Sequence, residues 1–142
     1  MKVKEEILKN LEKTYCRLKK SKLSGVGVFA VRDIPYGVNP FREKRKQSWI
    51  KFNMFELEGL DNEVLKMIGD FFVIEKDMTV YIPKSGLNGI DISFFVNNSK
   101  KPNLKVIGDG VLEEISFITK RKIKKGEELT VSYATYDEKY RE

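Results

Sequence analysis

Residues 94–103 read Phe-Phe-Val-Asn-Asn-Ser-Lys-Lys-Pro-Asn. The polar run Asn97-Asn98-Ser99 directly follows an apolar patch, which is unusual for a surface loop, and it is rich in amides, which is unusual for a core. A side-chain amide offers a donor and an acceptor, either to a bound molecule or to neighbouring backbone. The segment therefore predicts amide groups that are held rigidly, with a ligand site and a structural amide network as the two alternatives.

The composition indicates one globular domain with a basic surface. The chain has 142 residues, of which 41% are hydrophobic and 34% charged, and its net charge is +6. A chain of this size buries a modest core. The charge favours an acidic or nucleic-acid-associated partner, and a solvated basic surface is the alternative. A single cysteine, Cys16, and no histidine predict no disulfide, no metal site and a reducing compartment.

The start of the chain and its hydropathy pattern indicate a soluble protein. Residues 1–15 alternate charged positions with isolated apolar ones and lack the apolar core of a signal peptide. No stretch reaches the ~18 apolar residues that a membrane helix needs. We therefore expect an intracellular protein, cytoplasmic or nuclear, that has no membrane partner.

Short strands between Gly, Pro and Asn turns dominate the pattern, and the expected fold class is mainly β with a few short helices. Apolar residues at helical spacing predict a helix over residues 3–13 that packs on the domain. A second helix is expected over about 62–72, with Asp61 as its N-cap. Residues 41–60 give weak signals, although Trp49, Phe52 and Phe55 are spaced by three, and a helix and an irregular insert are the two alternatives there. Strands are expected at residues 15–20, 26–31, 79–82, 114–119 and 129–133.

Two further segments have features that packing alone explains poorly. Residues 25–30 read Gly-Val-Gly-Val-Phe-Ala, in which glycines permit backbone to approach a flat ligand closely. A tight turn without a ligand is the alternative. Residues 126–133 read Gly-Glu-Glu-Leu-Thr-Val-Ser-Tyr and place Tyr133 at the end of an alternating apolar run. A tyrosine at a strand end is usually half-buried packing.

Taken together and in this order, the three segments resemble the SET domain of protein-lysine methyltransferases. Residues 25–30 are similar to that family's Gly-x-Gly-x-Phe strand. Residues 94–103 are similar to its Arg-Phe-x-Asn-His-Ser-x-x-Pro-Asn motif, and residues 126–133 to its closing Gly-Glu-Glu-Leu-x-x-x-Tyr segment. The resemblance spans about residues 15–136, nearly the whole chain.

The resemblance implies a SET-like fold of several small sheets with a knot-like C-terminal threading, which is an exception to the rule that chains do not thread loops. One SET-like domain would occupy residues 1–142. Its parts would be an N-terminal helical extension over about 1–14, a variable insert over about 42–90 and a C-terminal tail over about 134–142.

The activity that the resemblance implies is transfer of a methyl group from S-adenosyl-L-methionine to the ε-amine of a lysine in a protein substrate. Tyr133 would be the catalytic tyrosine, whose hydroxyl aligns the methyl group and the lysine nitrogen. Asn97 would contact the amino acid end of the cofactor, and Asn98 would lie near its adenine. The cofactor-binding residues implied by the resemblance are Gly25, Val26, Gly27, Val28, Phe95, Asn97, Asn98 and Tyr136.

Four positions depart from the commoner family pattern. The usual Arg of the central motif is Phe94, and its usual His is Asn98. Ser132 stands before the tyrosine, where an acidic residue is frequent, and Ala134 stands after it, where Gly is frequent. Asn98 can still present backbone groups to adenine, so we expect cofactor binding to survive these changes.

No cysteine-rich flanking module is present, so the lysine channel would be completed by Tyr136, Tyr140 and the tail 137–142, through homodimerisation or folding over the cofactor. A charged, solvated tail is the alternative. The expected partner is a protein with an accessible lysine, such as a histone or another nucleic-acid-associated protein, and the basic run 42–46 is a candidate contact for an acidic partner. Two rival functions are a non-catalytic SET-like module that binds a protein or nucleic acid, and a small basic nucleic-acid-binding β domain.

Overall fold

Short strands and helices alternate along the chain. The computed structural model describes residues 2–41, 48–108 and 116–137. Among these residues, 3-10 turns lie at Met54–Leu57, Gly86–Gly89, Ile92–Phe95 and Tyr133–Thr135. The longer elements are α1 (Lys2–Glu12), β1 (Cys16–Lys20), β2 (Val26–Ala30), β3 (Trp49–Asn53), α2 (Asn62–Phe71), β4 (Thr79–Pro83), β5 (Asn97–Asn98), β6 (Leu104–Ile107), β7 (Ser116–Thr119) and β8 (Glu128–Val131).

One four-stranded sheet brings the three sequence motifs together. Its strand order is β1-β2-β8-β5. Strand β8 pairs antiparallel with β2, with Val28 opposite Leu129, and parallel with β5, with Asn97 opposite Thr130. The last motif therefore lies between the Gly-x-Gly strand and the Asn-Asn segment, although both are far from it in sequence. In the part of the chain that the structure describes, two further sheets are the antiparallel pairs β3-β4 and β6-β7.

The buried apolar side chains of the described residues form two clusters. The first packs around the four-stranded sheet, and Val28, Ile34, Ile123 and Leu129 are fully buried in it. The second lies in the middle of the chain and includes buried residues of α2 and of the β3-β4 pair: Leu57, Ile68, Phe72, Val80 and Ile82. The predicted variable insert thus has a hydrophobic core of its own.

Phe94 and Phe95 lie where the two clusters meet. Phe94 packs on the second cluster, with its ring centroid 5.5 Å from that of Phe72. Phe95 packs on the first cluster and meets Phe71 edge to face at 5.3 Å. Such aromatic pairs add about 0.5–1.5 kcal/mol beyond the area that they bury. Phe95 therefore joins the insert to the sheet through apolar contacts, and Phe94, which stands where the motif usually has Arg, packs on the insert.

The predicted fold class is confirmed, and so is most of the predicted secondary structure. Helix α2 begins after Asp61, whose carboxylate accepts a hydrogen bond from the Glu63 N–H at 2.8 Å, as expected for an N-cap. Strands β1, β2, β4 and β8 lie where strands were predicted. Strand β7 begins at Ser116, and residues 109–115 lie outside the described residues. Strands β3 and β6 were not predicted. The knot-like threading stays a prediction.

Helix α1 forms as predicted, but its expected packing role is wrong. None of its residues is buried, and its apolar face, Val3, Ile7, Leu8 and Leu11, is between 51% and 65% exposed. An amphipathic period fixes which residues share a face and leaves open whether anything covers that face. Neither helix among the described residues is long and apolar enough to cross a membrane.

Cys16 lies in the core at the start of β1. It is 5% exposed, and its thiol is 4.0 Å from the Pro40 carbonyl oxygen. Burial raises the pKa of Cys16 from its ordinary value of 9.0 to about 12, because the thiolate would lose its hydration there. The folded state therefore holds the thiol proton over a pH range in which the unfolded state releases it.

The raised pKa of Cys16 predicts a pH-dependent loss of stability. Its contribution is fully present below pH 9 and falls as the pH rises from about 9 towards 12, because only the unfolded chain ionises in that range. Between pH 8 and pH 10.5, the wild type should lose about 2 kcal/mol more than Cys16→Ala in free energy of unfolding. Urea unfolding at both pH values measures this difference, and parallel losses in the two proteins would refute it.

Candidate active site

The Asn97 side chain links the Asn-Asn segment to the Gly-x-Gly strand. Its Nδ2 donates to the carbonyl oxygens of Ser24 at 3.1 Å and Val26 at 3.3 Å. It also donates to Oε2 of Glu128 at 2.9 Å. The pairing of β8 with both β2 and β5 makes these contacts possible. Motifs that are about seventy residues apart in sequence therefore meet at one amide group.

The two glycines of the Gly-x-Gly segment serve different purposes. Gly25 has a φ of +43°, in the left-handed region, and a Cβ there would meet open space. Gly27 is buried, and a Cβ at that position would overlap the Glu128 carboxylate and lie 3.0 Å from Asn97 Nδ2. Gly25 is thus required by the turn, and Gly27 by the close approach of these two side chains.

Glu128 is a site residue that the sequence reasoning missed. Its carboxylate accepts from the buried Ser21 hydroxyl, with Oγ 2.8 Å and 2.9 Å from its two oxygens, and from Asn97 Nδ2. The preceding residue, Glu127, instead forms an ion pair with Arg121 at 2.9 Å. The hydrogen bond from Arg121 holds the pKa of Glu127 below its ordinary value. The alternation of a strand could have indicated that only one of the two glutamates of the Gly-Glu-Glu-Leu motif faces the site, although not which one.

Tyr133 is held at both ends by the segment that contains the asparagines. Its N–H donates to Oδ1 of Asn98 at 2.8 Å, and its hydroxyl donates to the Val96 carbonyl oxygen at 2.7 Å. The ring lies 6.0 Å from that of Tyr136, which in turn meets Phe117 at 6.4 Å. Because the hydroxyl proton is used on Val96, the phenolic oxygen faces any further partner as an acceptor.

The amide of Asn103 has a structural role. The residue is 3% exposed. Its Nδ2 donates to the Glu128 carbonyl oxygen at 2.8 Å, and its Oδ1 accepts from the Thr130 N–H at 2.8 Å. The side chain thus pairs with the backbone of β8 as a neighbouring strand would. The sequence left open whether these amides bind a ligand or form a structural network, and Asn103 belongs to a structural network.

The structure brings together most of the residues that the resemblance assigned to a site. Gly25, Val26, Gly27, Asn97, Asn98 and Tyr133 lie around strand β8. The side chain of Val28 lies in the core, which leaves its backbone for any cofactor contact. Phe95 and Tyr136 pack on the first cluster. The cofactor and catalytic roles of all eight binding residues and of Tyr133 stay predictions. The basic run 42–46, Tyr140 and tail residues 138–142 lie outside the described residues.

Comparison with known proteins identifies the family. The family model of the SET domain matches residues 25–134, and no curated protein matches the chain. The chain is similar in structure to a Plasmodium falciparum protein named a "putative histone methyltransferase", with a TM-score of 0.53. The structural match covers 84% of this chain and 93% of that one, with a sequence identity of 18%. At this identity the likeness shows the fold alone. Because the family match covers most of the residues, the chain belongs to the SET domain family.

Proposed function

We propose that this SET domain transfers a methyl group from S-adenosylmethionine to the ε-amine of a lysine in a protein substrate. The observation that carries the proposal is the convergence of the Gly-x-Gly strand, Asn97 and Glu128 on one face of the sheet around β8, in the same sheet region as the anchored Tyr133. Family membership supports the reaction class. The name of the structurally similar protein supports a protein as the substrate.

The acceptor oxygens around Asn97 and Glu128 fit the amino acid end of the cofactor. We call the carbonyl oxygens of Ser24 and Val26 and the carboxylate of Glu128, which all accept from Asn97 Nδ2, the acceptor cluster. The ion pairs of the described side chains are Arg121–Glu127 and Lys122–Asp33, so none of the cations in that part of the chain pairs with Glu128. An ammonium group carries three N–H donors and forms charge-assisted hydrogen bonds with such oxygens. We therefore place the amino acid end of the cofactor beside the acceptor cluster.

Tyr133 would act on the reacting groups through its phenolic oxygen. When bound, S-adenosylmethionine supplies a methyl group activated by a sulfonium. The Tyr133 hydroxyl donates its hydrogen bond to the Val96 carbonyl oxygen, so the phenolic oxygen can take part in CH···O or N–H contacts only as an acceptor. A CH···O contact contributes about 0.5–1 kcal/mol. The hydrogen bonds at both ends of Tyr133 fix the position of this oxygen. Its main contribution would be alignment rather than proton abstraction.

The lysine nucleophile must be neutral to react. With an ordinary pKa of about 10.4, about one lysine in 2,500 is neutral at pH 7, which corresponds to about 4.6 kcal/mol. Desolvation and a nearby positive charge both lower a lysine pKa. A strong general base is therefore not required, which is consistent with a chain that contains no histidine.

The proposal predicts that the protein binds S-adenosylhomocysteine and that Gly27→Ala weakens this binding by about 5-fold or more. A Cβ at Gly27 must displace the Glu128 carboxylate and crowd the Asn97 amide, and such overpacking costs about 1–3 kcal/mol. Isothermal titration calorimetry on folded wild type and variant measures both affinities. Gly59→Ala is the matched control, because a Cβ there meets open space and its φ lies outside the left-handed region.

Absence of binding to the wild type would overturn the proposal and favour the non-catalytic SET-like module. Equal affinities of wild type and Gly27→Ala would show that the ligand lies elsewhere on the protein. A loss of affinity in Gly59→Ala as large as that in Gly27→Ala would point to a general effect of the substitution rather than to this site.

A further inference from the structure

We propose that Glu128 and Ser21 form a positioning pair that orients the Asn97 amide, so that its Oδ1 accepts a hydrogen bond from the cofactor's α-ammonium group. The inference rests on the proposed function and deepens it. It assigns recognition of the cofactor's amino group to the hydrogen-bonded series Ser21–Glu128–Asn97 rather than to Asn97 alone. Glu128 acts in this chain through Asn97 and is a positioning residue.

The orientation of the Asn97 amide is fixed by its surroundings. The oxygen and nitrogen of a side-chain amide are nearly equal in size, so neighbouring donors and acceptors decide which way the group points. Here one amide position faces three oxygens, those of Ser24, Val26 and the Glu128 carboxylate, within 3.3 Å. Only Nδ2 can occupy that position without repulsion. Oδ1 therefore points away from these three oxygens.

The Glu128 carboxylate supplies the shortest of these contacts and is itself held in place. Ser21 Oγ lies within hydrogen-bond distance of both carboxylate oxygens. The same Oγ accepts from the Leu23 N–H at 2.9 Å, so its proton is directed to Glu128. Ser21 also closes the turn before β2, since its N–H donates to the Gly25 carbonyl oxygen at 2.8 Å. The turn and the amide orientation are thereby coupled.

The Glu128 carboxylate can hold the Asn97 amide in one orientation, and a side-chain amide at the same position cannot do so equally well. Glu128 accepts from two donors, Ser21 and Asn97, and an ionised carboxylate offers acceptors only. In Glu128→Gln, one of these two donors would face an NH₂ group. If that donor is Asn97 Nδ2, the amide is driven to turn over, and Oδ1 then meets the carbonyl oxygens of Ser24 and Val26. If that donor is instead Ser21, Asn97 keeps an oxygen acceptor but loses the charge-assisted hydrogen bond that favours one amide orientation.

The test compares two ligands that differ at the amino acid end. S-adenosylhomocysteine carries the ammonium and carboxylate groups, and 5′-methylthioadenosine carries the same adenosine and thioether without them. In Glu128→Gln we expect a loss of about 10- to 50-fold in affinity for S-adenosylhomocysteine and a change below about 2-fold for 5′-methylthioadenosine. Ser21→Ala should show the same selectivity with a smaller loss, because it removes one hydrogen bond of the chain.

Glu127→Gln is the matched control. It makes the same chemical change at the adjacent position, where the side chain pairs with Arg121 on the surface. Such exposed pairs contribute little to stability, so affinity for both ligands should equal that of the wild type. If Glu128→Gln does not fold, as judged by thermal unfolding, Ser21→Ala carries the comparison.

A second readout needs no ligand. In ¹H–¹⁵N spectra of the ligand-free protein, the Asn97 side-chain NH₂ resonances should be shifted and slow to exchange, because three acceptors surround the group. Glu128→Gln should move them towards the values of an exposed amide, and Glu127→Gln should leave them in place. Unchanged resonances in Glu128→Gln would overturn the inference.

The outcomes separate the inference from the proposed function. If Glu128→Gln loses affinity equally for both ligands, or for neither, Glu128 does not orient Asn97 towards the amino group and the inference is wrong, while wild-type binding still supports the function. If the wild type binds neither ligand, both fail. A selective loss with S-adenosylhomocysteine in Glu128→Gln supports both.

Discussion

Tyr133→Phe is expected to lower methyl transfer by about 100-fold or more, while affinity for S-adenosylhomocysteine changes by less than about 2-fold. The variant keeps the ring that packs near Tyr136 and loses the phenolic oxygen, which the bond to Val96 holds in place. Misplacing reacting groups by about 1 Å costs about 100-fold in rate. The contacts of Asn97 and Glu128 do not involve this hydroxyl, so the binding of the amino acid end should be preserved.

The measurement is transfer of a radiolabelled methyl group from S-adenosylmethionine to proteins of a cell lysate, with calorimetry of S-adenosylhomocysteine binding alongside. Tyr36→Phe makes the same change at a tyrosine that is 69% exposed, and its transfer rate should equal that of the wild type. Equal rates for Tyr133→Phe and the wild type would remove Tyr133 from the catalytic role. A loss of cofactor affinity as large as the loss of rate would make it a binding residue instead.

The sequence predicted those elements that are determined by interactions between neighbouring residues. The Asp61 cap and the apolar face that follows it predict α2, because the N-cap hydrogen bond to the Glu63 N–H involves neighbouring residues only. The same holds for β1 and β2, which form a hairpin of alternating residues. The order of the three motifs then identifies the family, because each motif marks an element of the same sheet.

Strand β3 was missed because its sequence carries a misleading period. Trp49, Phe52 and Phe55 are spaced by three, as on one face of a helix, yet Trp49 and Phe52 lie in a strand paired with β4. Phe55 lies in the following 3-10 turn, Met54–Leu57, whose N-cap Asn53 forms a capping box with Glu56 at the end of the strand. Pairing with a strand about thirty residues away outweighs the local period, and this pairing cannot be read from the segment itself.

The role of Glu128 needed long-range information. Alternation along β8 indicates that Glu127 and Glu128 face opposite sides. It does not reveal that one side carries Arg121 and the other carries Ser21 and Asn97. That difference depends on the pairing of β8 with both β2 and β5, which a sequence pattern does not specify. For Asn103, the hydrogen bonds of its side chain to the β8 backbone decide between a ligand-binding and a structural amide.

Asn103→Asp is expected to lower the free energy of unfolding by about 3 kcal/mol or more at pH 7. The Asn103 amide donates to the Glu128 carbonyl oxygen and accepts from the Thr130 N–H. An ionised carboxyl at this position still accepts from the Thr130 N–H, but it places a buried negative charge against the Glu128 carbonyl oxygen. A buried polar or charged group that lacks a hydrogen-bond partner lowers the free energy of unfolding strongly. Urea unfolding of the two proteins, followed by circular dichroism, measures the difference.

The pH dependence of this loss separates charge from shape. A protonated carboxyl can donate to the Glu128 carbonyl oxygen as the amide does, so the folded variant should have a carboxyl pKa above the ordinary Asp value of about 3.9. The destabilisation should therefore be small at pH 4 and grow as the pH rises, because only the unfolded chain releases the proton at first. Asn62→Asp is the control, since this exposed residue begins α2, where a negative charge is neutral or mildly stabilising. A loss in Asn103→Asp that is the same at pH 4 and pH 7 would mean that the side chain's shape, and not its donor, supports β8.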